Sequence, residues 1–221
     1  MMKNKIITIL CSVFAVSLFS AQNLTFSDKN FEKAVLANYD INKDGTIDKS
    51  EADRVVNLFV SNKIQVRSAT DINLFKNVQT VVLDGSILIG VDLKDLDYLT
   101  LFSCEACNLL TFKAENLKNL TSLYLSGNKL TGISLKNTPE ISELAIASNG
   151  LASIDVSGLK KLRSLNLESN QIKSLDLTQN PELETLNINN NPLKETEVKR
   201  GKKAVTTPTN PSSLPKRPNA N

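Results

Sequence analysis

From residue 78 onward, apolar residues return at a fixed interval. Val78, Leu99, Leu120, Ile141, Leu162 and Leu183 stand 21 residues apart. Three places on, Val81, Phe102, Leu123, Leu144, Leu165 and Leu186 keep the same step, and two further on come Leu83, Cys104, Leu125, Ile146, Leu167 and Ile188. A fourth column holds Leu88, Leu109, Leu130, Leu151, Ile172 and Leu193. Polar positions keep the interval too: Asn128, Asn149, Asn170 and Asn191 are also 21 apart, and Cys107 and Ser86 extend that column backwards. The unit is LxxLxLxxNxL followed by a half of the type xxIxLxxxxx. Six registers without an insertion mark an internal repeat.

The LxL core predicts a short strand with alternate residues buried. Stacked copies pair into a parallel sheet along one side of a solenoid. The second halves are too short for full helices and are expected as extended segments or short helical turns. The Asn column falls where the chain turns inward after the strand. There a side-chain amide can satisfy backbone groups of neighbouring coils that would otherwise be buried unpaired. Small, weakly polar Cys and Ser fit the same place.

This unit resembles the leucine-rich repeat family. Its 21-residue length, with second halves such as SIDVS (153–157) and SLDLT (174–178), is similar to bacterial secreted, internalin-like repeats. The resemblance covers about residues 68–193 and includes a partial first coil, with Thr70, Asp71 and Ile72 in register with Leu175, Asp176 and Leu177. It implies an α/β solenoid over 64–193, about six repeats plus the partial coil, with a parallel β-sheet on the concave face.

The segment before the repeats, 22–63, reads differently. Residues 40–51, DINKDGTIDKSE, match the EF-hand loop at every specified position. Calcium takes six to eight oxygens, and this loop can supply them. Asp40, Asn42 and Asp44 would give side-chain oxygens, Thr46 its carbonyl, Asp48 a direct or water-mediated ligand, and Glu51 a bidentate carboxylate. Gly45 permits the sharp turn, and Ile47 points away from the metal. Phe31, Val35 and Tyr39 predict an entering helix behind a Ser27 or Asp28 cap. Ser50 and Asp53 resemble a capping box for an exit helix whose apolar stripe is Ala52, Val55, Val56 and Phe59. The expectation is an EF-hand helix–loop–helix that caps the N-terminal end of the solenoid near Val66, Ile72 and Leu74, with Ca2+ as its cofactor.

Both ends lie outside these units. Residues 1–21 read as a signal peptide: Lys3 and Lys5 precede the apolar stretch Ile6 to Phe19, shorter than the roughly 20 residues of a membrane span. Residues 194–221, rich in Pro, Thr, Ser and Lys, read as a disordered basic tail. The tail carries a net charge of +5, and 22–193 hold 17 basic and 21 acidic side chains. The overall charge of +3 therefore masks a mildly acidic body, with no field for nucleic acid. The implied location is exported: secreted, periplasmic or at the cell surface.

Composition sharpens two points. Leu, 32 of 221 residues, fills the repeat's inward columns, and part of the excess of 25 Asn is the ladder spaced by 21. There is no histidine, which excludes Ser-His-Asp and Cys-His hydrolases and His-ligated zinc. Cys104 and Cys107 form a CxxC, but both fall on inward columns, so packing explains them better than redox chemistry; their spacing alone does not establish a disulfide. On the concave face the register places Thr80, Val82, Asp84, Leu101, Ser103 and Ser122 among small, mildly acidic positions. Glu105, Tyr124, Glu143, Asn166, Glu168 and Asn187 are its candidate partner-binding residues, with Tyr124 the aromatic anchor. Glu105 and Glu143 sit in different columns, with no pocket implied for a glycosidase. The reading is a non-enzymatic, calcium-binding module for a protein or cell-surface ligand. The competing reading is a spacer of the envelope or an accessory subunit of a secreted enzyme.

Overall fold

The computed structural model describes residues 22–60 and 65–201; residues 1–21, expected as a signal peptide, residues 61–64 and most of the expected basic tail, 202–221, lie outside the described residues. Helix α1 (Lys29–Tyr39) starts where Asp28 caps it, Oδ1 accepting from the N–H groups of Asn30 and Phe31 at 2.8 and 3.2 Å. The other oxygen of Asp28 accepts from Arg67 and Ser68 N–H at 2.6 and 2.8 Å, tying the helix start to the first coil. Asp71, buried in that coil, accepts from Ser27 N, Ser27 Oγ and Asp28 N. Phe26, Phe31 and Phe75 meet with ring centroids 6.1–6.3 Å apart. The N-terminal segment and the first coil therefore share one apolar core, in which Val66 and Ile72 are fully buried and Leu74 is packed at its edge.

The exit helix differs from the expected full helix. Helix α2 (Lys49–Ala52) is a single turn, and its capping box is Asp48 with Glu51 rather than Ser50 with Asp53. The chain then enters strand β1 (Asn57–Phe59), which pairs with β2 (Thr80–Val82), so Leu58 is buried while Val56 and Phe59 are exposed. Val55, Leu58 and Val60 turn inward along extended chain, and a parallel neighbour supplies the backbone bonds that further helix would have made.

The principal sheet has seven parallel strands. After β1 and β2 come β4 (Leu101–Ser103), β6 (Ser122–Tyr124), β8 (Glu143–Ala145), β9 (Ser164–Asn166) and β11 (Thr185–Asn187). From β2 onward each strand pairs with the one 21 residues on, so Val81, Phe102, Leu123, Leu144, Leu165 and Leu186 form one buried row. The second halves are largely extended. β3 (Gly90–Lys94), β5 (Thr111–Glu115) and β7 (Ser134–Lys136) form an outer sheet, and β10 (Leu175–Leu177) pairs with β12 (Val198–Arg200). Coil pairing thus runs past Leu193 into the segment expected as tail. The whole is a parallel-strand solenoid of about seven turns.

The Asn column forms the expected ladder. Asn128 Oδ1 accepts from Cys107 and Leu109 N–H at 2.9 and 3.0 Å, and its Nδ2 donates to the carbonyls of Cys104 and Leu125 at 2.7 and 2.8 Å. Asn149, Asn170 and Asn191 repeat the arrangement one coil at a time. The residue before each ladder position is left-handed: Gly85, Ala106, Gly127, Ser148, Ser169 and Asn190 have φ between +53° and +73°. That conformation turns the chain inward at the end of the strand, at a strain cost wherever the residue is not glycine. A second, outer ladder links Asp95, Asn116 and Asn137, whose side chains bond in series at 2.9 Å. Cys104 and Cys107 are disulfide-bonded and fully buried, so they cross-link the coil as well as pack it.

Candidate functional site

The loop between α1 and α2 is shaped by its own side chains. Gly45 has φ +81°, the turn for which the sixth loop position needs glycine, and Ile47 two places on is buried in the core. Asp40 accepts from Asp44 and Gly45 N–H at 3.2 and 3.0 Å. Asn42 Oδ1 accepts from Asp44 N–H, and its amide donates to Asp44 Oδ2. Asp44 Oδ1 accepts from both Thr46 N–H and its hydroxyl, which holds the Asp44 carboxyl below its usual range. Asp48 is likewise held low, first by the Glu51 N–H. Glu51 is 3% exposed and folds back over the loop, taking Ile41 and Asn42 N–H on one oxygen and Asp48 N–H on the other.

The donor chemistry suits a hard cation: four carboxylates, an amide oxygen and a main-chain carbonyl within 12 residues. In this arrangement the carboxylates are turned onto backbone N–H groups, and among the described residues no three acidic side chains converge as a metal-holding group. Beside the loop, Gln22–Leu24 runs antiparallel to Ile47–Lys49, with Leu24 N–H on Ile47 O at 2.8 Å and Lys49 N–H on Gln22 O at 3.2 Å.

The seven-stranded sheet, expected as the concave face, brings the partner-face candidates into two groups. Tyr124 donates its hydroxyl to Glu143 Oε2 at 2.5 Å; burial, reinforced by that carboxylate, raises the phenol above its ordinary value. Glu168 Oε2 accepts from Asn187 Nδ2 at 3.0 Å, while Asn166 Oδ1 accepts from the Glu168 N–H. Glu105 places its N–H on Asp84 Oδ1 at 2.9 Å, and its charge adds to that of Glu143 in raising the Tyr124 phenol. Tyr124 is only 6% exposed, so it is a buried post rather than the presented anchor expected. The aromatic that the face does present is Phe59, 39% exposed at the edge strand and in register with Val82. The expected helical stripe Ala52, Val55, Val56 and Phe59 assigned it to the exit helix, and the alternation of Leu58 and Val60 alone is too short a signal for a strand. Beside Phe59 the sheet carries half-buried Val82 and Leu101.

Comparison with known proteins supports the scaffold. The family model "Leucine Rich Repeat" matches residues 119–139. No curated protein sequence matches. Among solved structures, the leucine-rich repeat domain of LRIM1 superposes with TM-score 0.55 at 19% identity, over 69% of this chain and 50% of that one. LRIM1 in its complex with APL1C gives TM-score 0.54 at 19% identity, over 69% and 33%. Internalin C2 from Listeria monocytogenes gives 0.50 at 17% identity, over 83% and 94%. The chain therefore spans a third to a half of the two LRIM1 chains and most of the internalin. No helix among the described residues is long and apolar enough to cross a membrane. At these identities the likeness is one of fold: the chain is a parallel-strand solenoid resembling leucine-rich repeat proteins.

Proposed function

We propose that this chain is an exported, calcium-binding, non-enzymatic module whose concave sheet docks a protein or cell-surface ligand. The observation that carries the reading is the face itself. Phe59, Val82 and Leu101 lie together on a sheet held by an internal hydrogen-bonded ladder, with Asp84, Glu105 and Glu143 nearby on the same face. A rigid face costs little to order on binding, and a presented aromatic is a typical energetic anchor.

Calcium belongs to the cap in this proposal. Asp40, Asn42, Asp44, Thr46, Asp48 and Glu51 would hold it once their side chains turn from the backbone N–H groups, and the ion would supply positive charge to a loop that carries four carboxylates in sequence. Support comes from the Gly45 turn, the inward Ile47 and the folded-back Glu51. The cap shares its core with the first coil, so an ion there stabilises the solenoid's open end. The buried Cys104–Cys107 disulfide suits an oxidising compartment, in keeping with export.

Affinity capture of surface proteins by the immobilised full chain, in about millimolar calcium as extracellular sites require, tests the binding reading. The doubly substituted Phe59→Ala, Leu101→Asn chain should lose the captured partner, whereas Lys113→Ala with Lys136→Ala on the outer sheet should keep it. Equal capture by the concave-face variant overturns the assignment of the face. Capture of nothing favours a spacer role.

A further inference from the structure

We propose that the outer sheet carries a second docking site, where the free edge of β7 takes up an extended peptide as an added strand. Two inward columns of the second halves locate it. Val91, Phe112 and Leu175 in one column, and Leu93, Ala114, Val156 and Leu177 in the other, are at most 4% exposed. Ile133, Ile154 and Leu135 complete these columns and are only half-buried, so the apolar core comes to the surface between these two coils. The outer sheet stops at the same place. β7 pairs with β5 on one side, and among the described residues no strand pairs with it on the other. Asn116 N–H donates to Lys136 O at 3.0 Å, so the main chain of Lys136 faces β5 and that of Ile133 and Leu135 faces the next coil. In that coil the Ser157 N–H, which the register would bring to Leu135 O, is on Asp155 Oδ1 at 2.9 Å instead. A hollow of about 370 Å³ remains between the two coils, with Ile133, Ser134, Leu135, Ser153, Ile154 and Asp155 in its lining.

The strand that β7 already holds on its other edge shows what chemistry fits. Residues 91–94, 112–115 and 133–136 read VDLK, FKAE and ISLK. Their outward columns run Asp92, Lys113, Ser134 and Lys94, Glu115, Lys136. In the second column the signs alternate, and Lys94 reaches Glu115 at 3.6 Å. Lys136 ends that column with no ion pair of its own among the described residues, so an acid belongs next to it. In the first column Ser134 is followed across the hollow by exposed Asp155, so a base belongs between them. The floor of Ile133, Leu135 and Ile154 takes apolar side chains. Successive side chains of a strand alternate in direction. A parallel strand reading apolar, basic, apolar, acidic therefore satisfies floor and rim together, and FKAE is such a sequence. Added strands draw affinity from main-chain bonds and specificity from alternate side chains. Here the peptide's basic residue donates its N–H to Ile133 O and its acidic residue to Leu135 O, while Leu135 N–H donates to the basic residue's carbonyl. The site shares no residue with the seven-stranded sheet and does not rest on that sheet's role.

Titration of the isotope-labelled full chain with a blocked synthetic peptide of the 111–115 sequence, TFKAE, followed by amide NMR, tests the proposal. The expected result is saturable shifts at Ile133, Leu135 and Ser153, slower exchange of the Leu135 amide, and no change at Phe59 or Val82. N-methylation of the peptide's Lys and Glu removes the two donors aimed at Ile133 O and Leu135 O, and should abolish binding with the protein unaltered. Exchanging the two charges, to TFEAK, turns both cross-strand pairs from opposite to like sign and should weaken binding about fivefold. Lys136→Glu, a substitution at an exposed position, should weaken TFKAE and strengthen TFKAK by a similar factor. No saturable shift, equal binding of the N-methylated peptide, or shifts confined to the seven-stranded sheet overturns the proposal. Binding indifferent to both charge exchanges overturns the assigned occupant. None of these outcomes depends on the captured partner, so failure here leaves the capture experiment to judge the concave face separately.

Discussion

Replacing Asn128 with leucine isolates what the ladder contributes, because the side chain is buried and leucine preserves its bulk. Three backbone groups depend on its amide: the N–H groups of Cys107 and Leu109 and the carbonyl of Cys104. The Leu125 carbonyl, a further acceptor, keeps a bond from Asn149 at 3.0 Å, and the long contact to the Ser126 carbonyl at 3.5 Å adds little. An unsatisfied buried group costs about 1–3 kcal/mol, so three of them cost at least about 3 kcal/mol even after relaxation. At roughly 2–4 °C per kcal/mol for a chain of this size, the melting temperature should fall by about 6–12 °C. Thermal melting followed by circular dichroism reads the total, and amide exchange at Cys107 and Leu109 reads the site. Asn119→Ala, which removes an exposed bond to the Asp97 carbonyl, should shift the melt by only a small fraction of that. A fall under about 2 °C for Asn128→Leu, with exchange unchanged at both amides, would refute the ladder as a source of stability.

Other outcomes follow from the same structure. Asp40→Ala with Glu51→Ala should abolish calcium-dependent stabilisation, which for the parent is about 2.7 kcal/mol at a hundredfold excess over Kd; the readout is the difference between melts with calcium and with chelator. An undiminished response in that variant removes the metal assignment. Cys104→Leu with Cys107→Asn trades the cross-link for the side chains that the other coils carry in these columns, so its melt should lie within a few degrees of the parent and no longer respond to reductant. A much larger loss would make the disulfide indispensable. Asp28 is pushed up by burial, but four backbone N–H bonds, from Arg67, Ser68, Asn30 and Phe31, outweigh this and hold its carboxyl below 3.8. Its contribution is therefore complete above that unfolded value and lost as pH falls through the lower folded one. Asp28→Asn should lower the melt at neutral pH and flatten its acid decline below about pH 4, checked by melts across that range.

How much of this was legible in the sequence depended on how often each feature repeats. The inward columns report themselves six times at one interval, so strands, register and ladder could be read before any coordinate. The left-handed column repeats as faithfully but through Gly85, Ala106, Gly127, Ser148, Ser169 and Asn190, which share a backbone state and no side chain. Residue identity cannot display such a pattern. Strand β1 lies outside the repeat and occurs once, so Val55, Val56 and Phe59 fitted a helical stripe as well as a strand. Only its parallel neighbour β2 decides between them. The same accident governs the candidate sites. The loop's donor list is written in consecutive residues and could be read directly, but the direction each carboxylate faces is set by backbone N–H groups that no spacing rule records. The presented aromatic of the concave face was misplaced because the register columns begin one coil after it. A docking face at the end of a repeat array is thus partly built by residues that do not obey the repeat. Phe59 is such a residue, and it is where a search for this protein's specificity should start.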